Sequence, residues 1–100
     1  MRILQVSDIH GRLKRVEEIV RKAGEVEPDL IVVAGDITHF GGLGDAEEIL
    51  DKLSEAGVQI FFVSGNCDPP EMLSWKPKNK LTENLHSKSV KFGDLSLIHI

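Results

Sequence analysis

One hundred residues with 41% hydrophobic and 28% charged side chains suit one ordinary globular domain, neither disordered nor fibrous. A formal charge of −4 argues against general affinity for nucleic-acid backbones, and Cys67, the lone cysteine, excludes an internal disulfide framework or a cysteine-cluster zinc site. No apolar run approaches the ~20 residues of a membrane span, and the opening residues show no signal-peptide pattern, so no membrane partner is expected and the expected setting is cytoplasmic.

The first apolar run, RILQVS (2–7), is nearly continuous rather than alternating, which predicts a strand buried on both faces. It stops on Ser7-Asp8-Ile9-His10-Gly11. Leu13, Val16, Ile19, Val20 and Ala23 then recur at helical spacing with charged residues between them, and Gly24 is placed as a stop. A second continuous run, DLIVVAG (29–35), leads into Asp36-Ile37-Thr38-His39 and a glycine-rich FGGLG stretch. That stretch lacks the Lys-Ser/Thr of a phosphate loop and reads as a connection. Asp45 with Glu48 resembles a capping box, Ala46, Ile49, Leu50 and Leu53 form an apolar stripe, and Gly57 closes the second helix. The third run, VQIFFVSG (58–65), delivers Asn66-Cys67-Asp68.

Strand, helix, strand, helix, strand is the pattern of right-handed parallel crossovers, an α/β class with helices against a sheet. Asp8 to Asp36 is 28 positions and Asp36 to Asn66 is 30, each close to one ~30-residue βαβ unit. Beyond Pro69-Pro70, EMLSW fits one short turn and KPKNK a solvated basic loop. ENLHS, KSVKF and LSLIHI fit short strands, with Gly93-Asp94 as a hairpin turn.

The three polar clusters all fall at the carboxyl edge of a parallel sheet, where ligand sites of open α/β folds form. Asp8 and His10, two apart in extended chain, would face one side and grip one ion. Asp36 from the neighbouring strand can bridge it to a second ion, which the Asn66 carbonyl oxygen can ligate. Such mixed oxygen and nitrogen donors favour Mn, Fe, Zn, Co or Ni over calcium. Two such ions suit phosphoryl chemistry, since they polarise a phosphoryl oxygen and activate a water. The alternative for Asp8 and His10 is a capped turn at a helix start, for Asn66 a plain turn residue, and for Cys67 a small buried filler. Asp68 reads as a residue that orients the turn before Pro69.

SDIHG, AGDITHFGG and SGNCD, in this order and spacing, resemble the first three motifs of the calcineurin-like metallophosphoesterase superfamily, most closely its small bacterial and archaeal phosphodiesterases. The resemblance implies a β sandwich flanked by helices around the parallel βαβαβ core, and hydrolysis of phosphodiesters or small phosphorylated metabolites at a dinuclear centre. It implies that Asp8, His10 and Asp36 hold one metal and Asp36 and Asn66 the other, with two divalent ions as cofactors and Mn2+ the first choice. Many members place a histidine after the asparagine and an aspartate three residues after the GD carboxylate. Here those positions are Cys67 and His39, which gives His39 a share of the acid or phosphate-binding role. The family's later single histidine and GHxH motif have no counterpart, and His86 and His99 lack the glycine context. The single domain 1–100 is therefore expected to be the amino-terminal part of a longer domain, inactive alone and self-associating through exposed sheet edges. The competing function is a non-catalytic scaffold on the same fold. A plain nucleotide-binding domain would need a glycine fingerprint where Asp8 and His10 stand.

Overall fold

A computed structural model of the chain describes residues 2–85, 89–92 and 95–98. The Gly93-Asp94 turn, His86 and His99 lie outside the described residues. The elements run in the order β1 (Ile3–Val6), α1 (Leu13–Val26), β2 (Leu30–Ala34), α2 (Leu43–Leu53), β3 (Gln59–Val63), β4 (Thr82–Asn84), β5 (Ser89–Phe92) and β6 (Leu95–Ile98). Short 3-10 turns occupy Ser54–Ala56 and Pro70–Ser74. Strands β1 to β4 form one parallel sheet in sequential order, and β5 and β6 pair antiparallel as a second sheet. No helix among the described residues is long and apolar enough to cross a membrane.

Alternation along each strand separates two apolar layers. Leu4 and Val6 of β1, Ile31 and Val33 of β2, and Ile60 and Phe62 of β3 join Val16, Ala23, Ala46, Ile49, Leu50 and Leu53 of the helices in one core. Leu30, Val32, Phe61 and Val63 point the other way and pack with Leu85. Both helices therefore cover the same face, as two right-handed crossovers stepping in one direction require.

Four expectations are corrected. β1 is an edge strand of its sheet, with Ile3 44% exposed, so its continuous apolar run does not mark a strand buried on both faces. Helix α1 runs through Gly24 and ends only where Glu27 turns left-handed at φ 49, just before Pro28. Proline bars the preceding residue from helical geometry, a stronger stop than an internal glycine. In α2 the cap residue is Gly42, and Asp45, standing in the first turn rather than at the cap, accepts the Gly42 N–H at 3.0 Å. The glycine stretch is consequently part helix, because Leu43 and Gly44 open α2. Gly57, at φ 75, does terminate the segment as expected.

The lysine-rich loop is held at the opposite end of the sheet from the polar clusters. Its Lys78 N–H reaches Glu47 Oε1 of α2 at 3.4 Å, and the Asn79 amide reaches Asp51 in the last turn of α2 and Ser54 just beyond it. The Leu81 carbonyl accepts the N–H of Ile60 at the start of β3.

Candidate metal centre

Ile9 and Ile37 are both fully buried in the helix-side core. Each is the residue after an aspartate, and burying it is worth about 1.5–3 kcal/mol. The anchor turns the flanking polar side chains outward at the sheet's carboxyl edge. The same anchoring forces a tight backbone. Asp8, His10 and Asp36 have φ of 57, 52 and 52, all left-handed, so Asp8 and His10 are brought to one side by a turn rather than by extended chain. Each such residue costs roughly 1–2 kcal/mol, least for residues like Asp and His.

Backbone bonds tie the three loops in series. His10 N–H donates to the Asp36 carbonyl and Gly11 N–H to the Ile37 carbonyl, both at 2.9 Å. Phe40 N–H donates to the Cys67 carbonyl at 2.8 Å, and Cys67 N–H donates to Asp36 Oδ1 at 2.9 Å. Gly35, at φ 90, and Gly65 lie back to back: a Cβ on Gly35 would sit 3.3 Å from the Gly65 Cα, and one on Gly65 would overlap Asp36 itself.

One donor atom each from Asp8, His10 and Asp36 lies within 4.8 Å of the others. His10 Nε2 is 3.6 Å from Asp8 Oδ1, while His10 Nδ1 is shielded from solvent and without a hydrogen-bond partner. Arg15 donates to the Asp8 carbonyl at 2.6 Å, fixing the loop from α1. Two carboxylates and an imidazole suit a first-row divalent ion, and a buried ring nitrogen with no protein partner is compatible with a ligand there. Asn66 is exposed on the same turn, between the Gly65 and Cys67 that meet Asp36. His39 is also exposed, its ring edge-on to His10 with centroids 5.6 Å apart. Arg12 lines, with His10 and His39, an open cleft of about 300 Å³.

Asp68 does more than orient its own turn. Oδ1 accepts the Thr38 N–H at 2.7 Å, and Oδ2 accepts the N–H groups of Gly65 at 2.8 Å and Ile37 at 3.1 Å. The buried Thr38 hydroxyl lies 3.1 Å from Oδ1 and 3.2 Å from the Cys67 carbonyl. This one carboxylate thus clamps the β2 loop to the β3 loop. The sequence alone reads it only as the residue that orients the turn before Pro69. Asp68→Ala is expected to lower stability by about 2–4 kcal/mol, because partly buried donors lose their acceptor. Urea denaturation measures it, and a loss below ~1 kcal/mol would contradict the clamp.

Cys67 is half-buried. Burial first, and then the carboxylates of Asp36, Asp68 and Asp8, push its thiol up from the ordinary 9.0. The thiolate is the nucleophile and this thiol stays protonated at neutral pH. Alkylation of the metal-free chain by iodoacetamide should therefore reach half its maximal rate above pH 9.0, and a midpoint at or below that value would contradict it.

The sequence model of the family described as calcineurin-like phosphoesterase matches residues 1–99. The uncharacterized protein MJ1162 of Methanocaldococcus jannaschii is 33% identical over 102 aligned residues, spanning 100% of this chain and 43% of that protein. Phosphodiesterase YfcE of Escherichia coli is 27% identical over 74 residues, 68% of this chain and 40% of its own length. The chain thus spans less than half the length of these curated relatives. Among solved structures, TT1561 of Thermus thermophilus superposes with a TM-score of 0.72 at 23% identity, covering 92% of this chain and 44% of that one. Yfce, a phosphoesterase from E. coli, gives 0.60 at 24%, covering 99% and 57%. At these identities the structural matches establish the fold.

Proposed function

Because this chain belongs to the calcineurin-like phosphoesterase family, we propose that it holds divalent metal ions at the carboxyl edge of its sheet and hydrolyses phosphate esters there. The observation that carries the reading is the convergence of Asp8, His10 and Asp36 within 4.8 Å. Asp8, His10 and Asp36 would hold one ion, and Asp36 with Asn66 a second, Mn2+ being well suited to this oxygen-rich set. When bound, such ions polarise a phosphoryl oxygen and lower the pKa of a water.

The remaining work falls to the chain's own groups. The Cys67 N–H holds one Asp36 oxygen in place, and the Asp36 carbonyl holds the His10 backbone, so the donors are set before an ion arrives. Arg12 and His39 share the wall of the open cleft beside His10, where a guanidinium can pair with phosphoryl oxygens. His39, on that wall, gives a proton to the departing alkoxide. Phe40, 75% exposed with its ring 5.0 Å from that of His39, offers apolar surface to the alcohol part of the ester. Phosphodiesters and small phosphorylated metabolites fit a cleft this open, and the relative YfcE is named a phosphodiesterase.

The test is hydrolysis of bis(p-nitrophenyl) phosphate by the full-length gene product after metal removal and again after adding Mn2+. Hydrolysis restored by the ion is expected. Tight Mn2+ binding with no cleavage of diester or monoester substrates would overturn the proposal in favour of a non-catalytic scaffold.

A further inference from the structure

Cys67 and His39 stand where many members of the superfamily carry a histidine and an aspartate, and the fold brings them together. One donor atom each from His10, His39 and Cys67 lies within 4.8 Å of the others. The loops that carry them are cross-linked: the Cys67 carbonyl accepts the N–H of Phe40, next to His39, and lies 3.2 Å from the Thr38 hydroxyl on its other side. Gly11 lies beside the His39 loop, where a Cβ on it would meet the His39 backbone nitrogen at an ordinary contact distance of 3.6 Å. The cleft lined by His10, Arg12 and His39 opens the cluster to solvent.

We propose that His10, His39 and Cys67 form a binding site for a thiophilic divalent ion such as Zn2+ or Cd2+, in competition with the carboxylate-rich centre for His10. Sulfur with two imidazoles is a soft donor set, unlike the hard set made by Asp8 and Asp36 around the same histidine. Three protein donors leave the fourth tetrahedral position to water. On binding, the Cys67 S–H bond breaks, its proton goes to solvent and the sulfur lone pair makes the bond to the ion. Each histidine binds through the one free lone pair of a neutral imidazole. His10 therefore serves one ion at a time, and a thiophilic ion withdraws a ligand from the first centre. That competition rests on the reading of Asp8, His10 and Asp36 as a metal centre; the soft site itself does not.

The experiment is an ultraviolet titration of the metal-free chain with Cd2+, followed by competition with Mn2+. A thiolate-to-cadmium charge-transfer band is expected, saturating with one ion and declining as Mn2+ is added. Cys67→Ser should remove the band and weaken Cd2+ binding at least tenfold while Mn2+ affinity stays within about twofold, since the lost donor is soft. His39→Asn, at an exposed position, should weaken Cd2+ binding by a similar factor with an unchanged circular dichroism spectrum. Cd2+ binding without the band, a His39→Asn variant that titrates like the parent, or Mn2+ that binds without displacing Cd2+ would overturn the proposal. Asp8→Asn separates the two readings: persistence of the band supports the soft site, and retained Mn2+ affinity counts against the carboxylate centre alone.

Discussion

Asp36→Asn is expected to lower Mn2+-dependent ester hydrolysis by the full-length protein by about 10³-fold, ~4 kcal/mol of barrier, without unfolding it. Asparagine keeps what the loop needs. It tolerates the left-handed backbone that Asp36 adopts at φ 52, and its amide oxygen can still accept the Cys67 N–H. What it loses is the negative charge on the group proposed to touch both ions. A melting temperature near that of the parent, together with loss of Mn2+ from the purified protein, would complete the expected result. Activity within tenfold of the parent would remove Asp36 from the centre.

Gly65→Ala should be the most damaging added methyl among the described glycines. An added Cβ would overlap the Asp36 backbone nitrogen and carboxylate at once, and backbone cannot step aside as a flexible side-chain tip can. Overpacking of this kind costs about 3 kcal/mol, and here the displaced atoms include the proposed bridging ligand. We expect lower stability and loss of Mn2+ binding together, read by denaturant titration and metal analysis. Gly57→Ala is the internal control. Gly57 is also left-handed, at φ 75, but meets nothing nearby, so it should cost about 1 kcal/mol and leave metal binding untouched. Equal effects of the two changes on Mn2+ would contradict the account.

The alternation of strands and helices and both parallel crossovers were legible because apolar runs and helical stripes are local, redundant signals. Val16, Ala23, Ile49 and Leu50 all lie in the core that their spacing assigns them. Edges were less legible. β1 and β2 have similar apolar sequences, yet only β2 has neighbours on both sides, and strand order depends on long-range pairing. Capping failed at Asp45 because the cap at Gly42 has no side chain to announce it; the recognisable residue was its first-turn partner.

At the site, the aspartates and histidines could be named from the ends of the strands, but their geometry could not. An extended Asp8-Ile9-His10 would also aim two donors one way, and only the buried Ile9 and the positive φ values show that a turn does it. The work of Asp68 was hidden because its partners, Ile37 and Thr38, lie 31 and 30 residues away. The proximity of His39 to Cys67 arises in the same way, from loops of two different strands.

The left-handed backbones of Asp8, His10 and Asp36 carry a consequence for how this protein drifts under mutation. Glycine at Asp8 or His10 would relax the backbone by roughly 1 kcal/mol before the added freedom of the unfolded chain is set against it, whereas at Asp36 it would also strip the Cys67 N–H of its acceptor. Laboratory evolution that rewards endurance alone would therefore have little reason to keep the ion-binding groups of Asp8 and His10, and their persistence in a lineage reports a demand other than toughness.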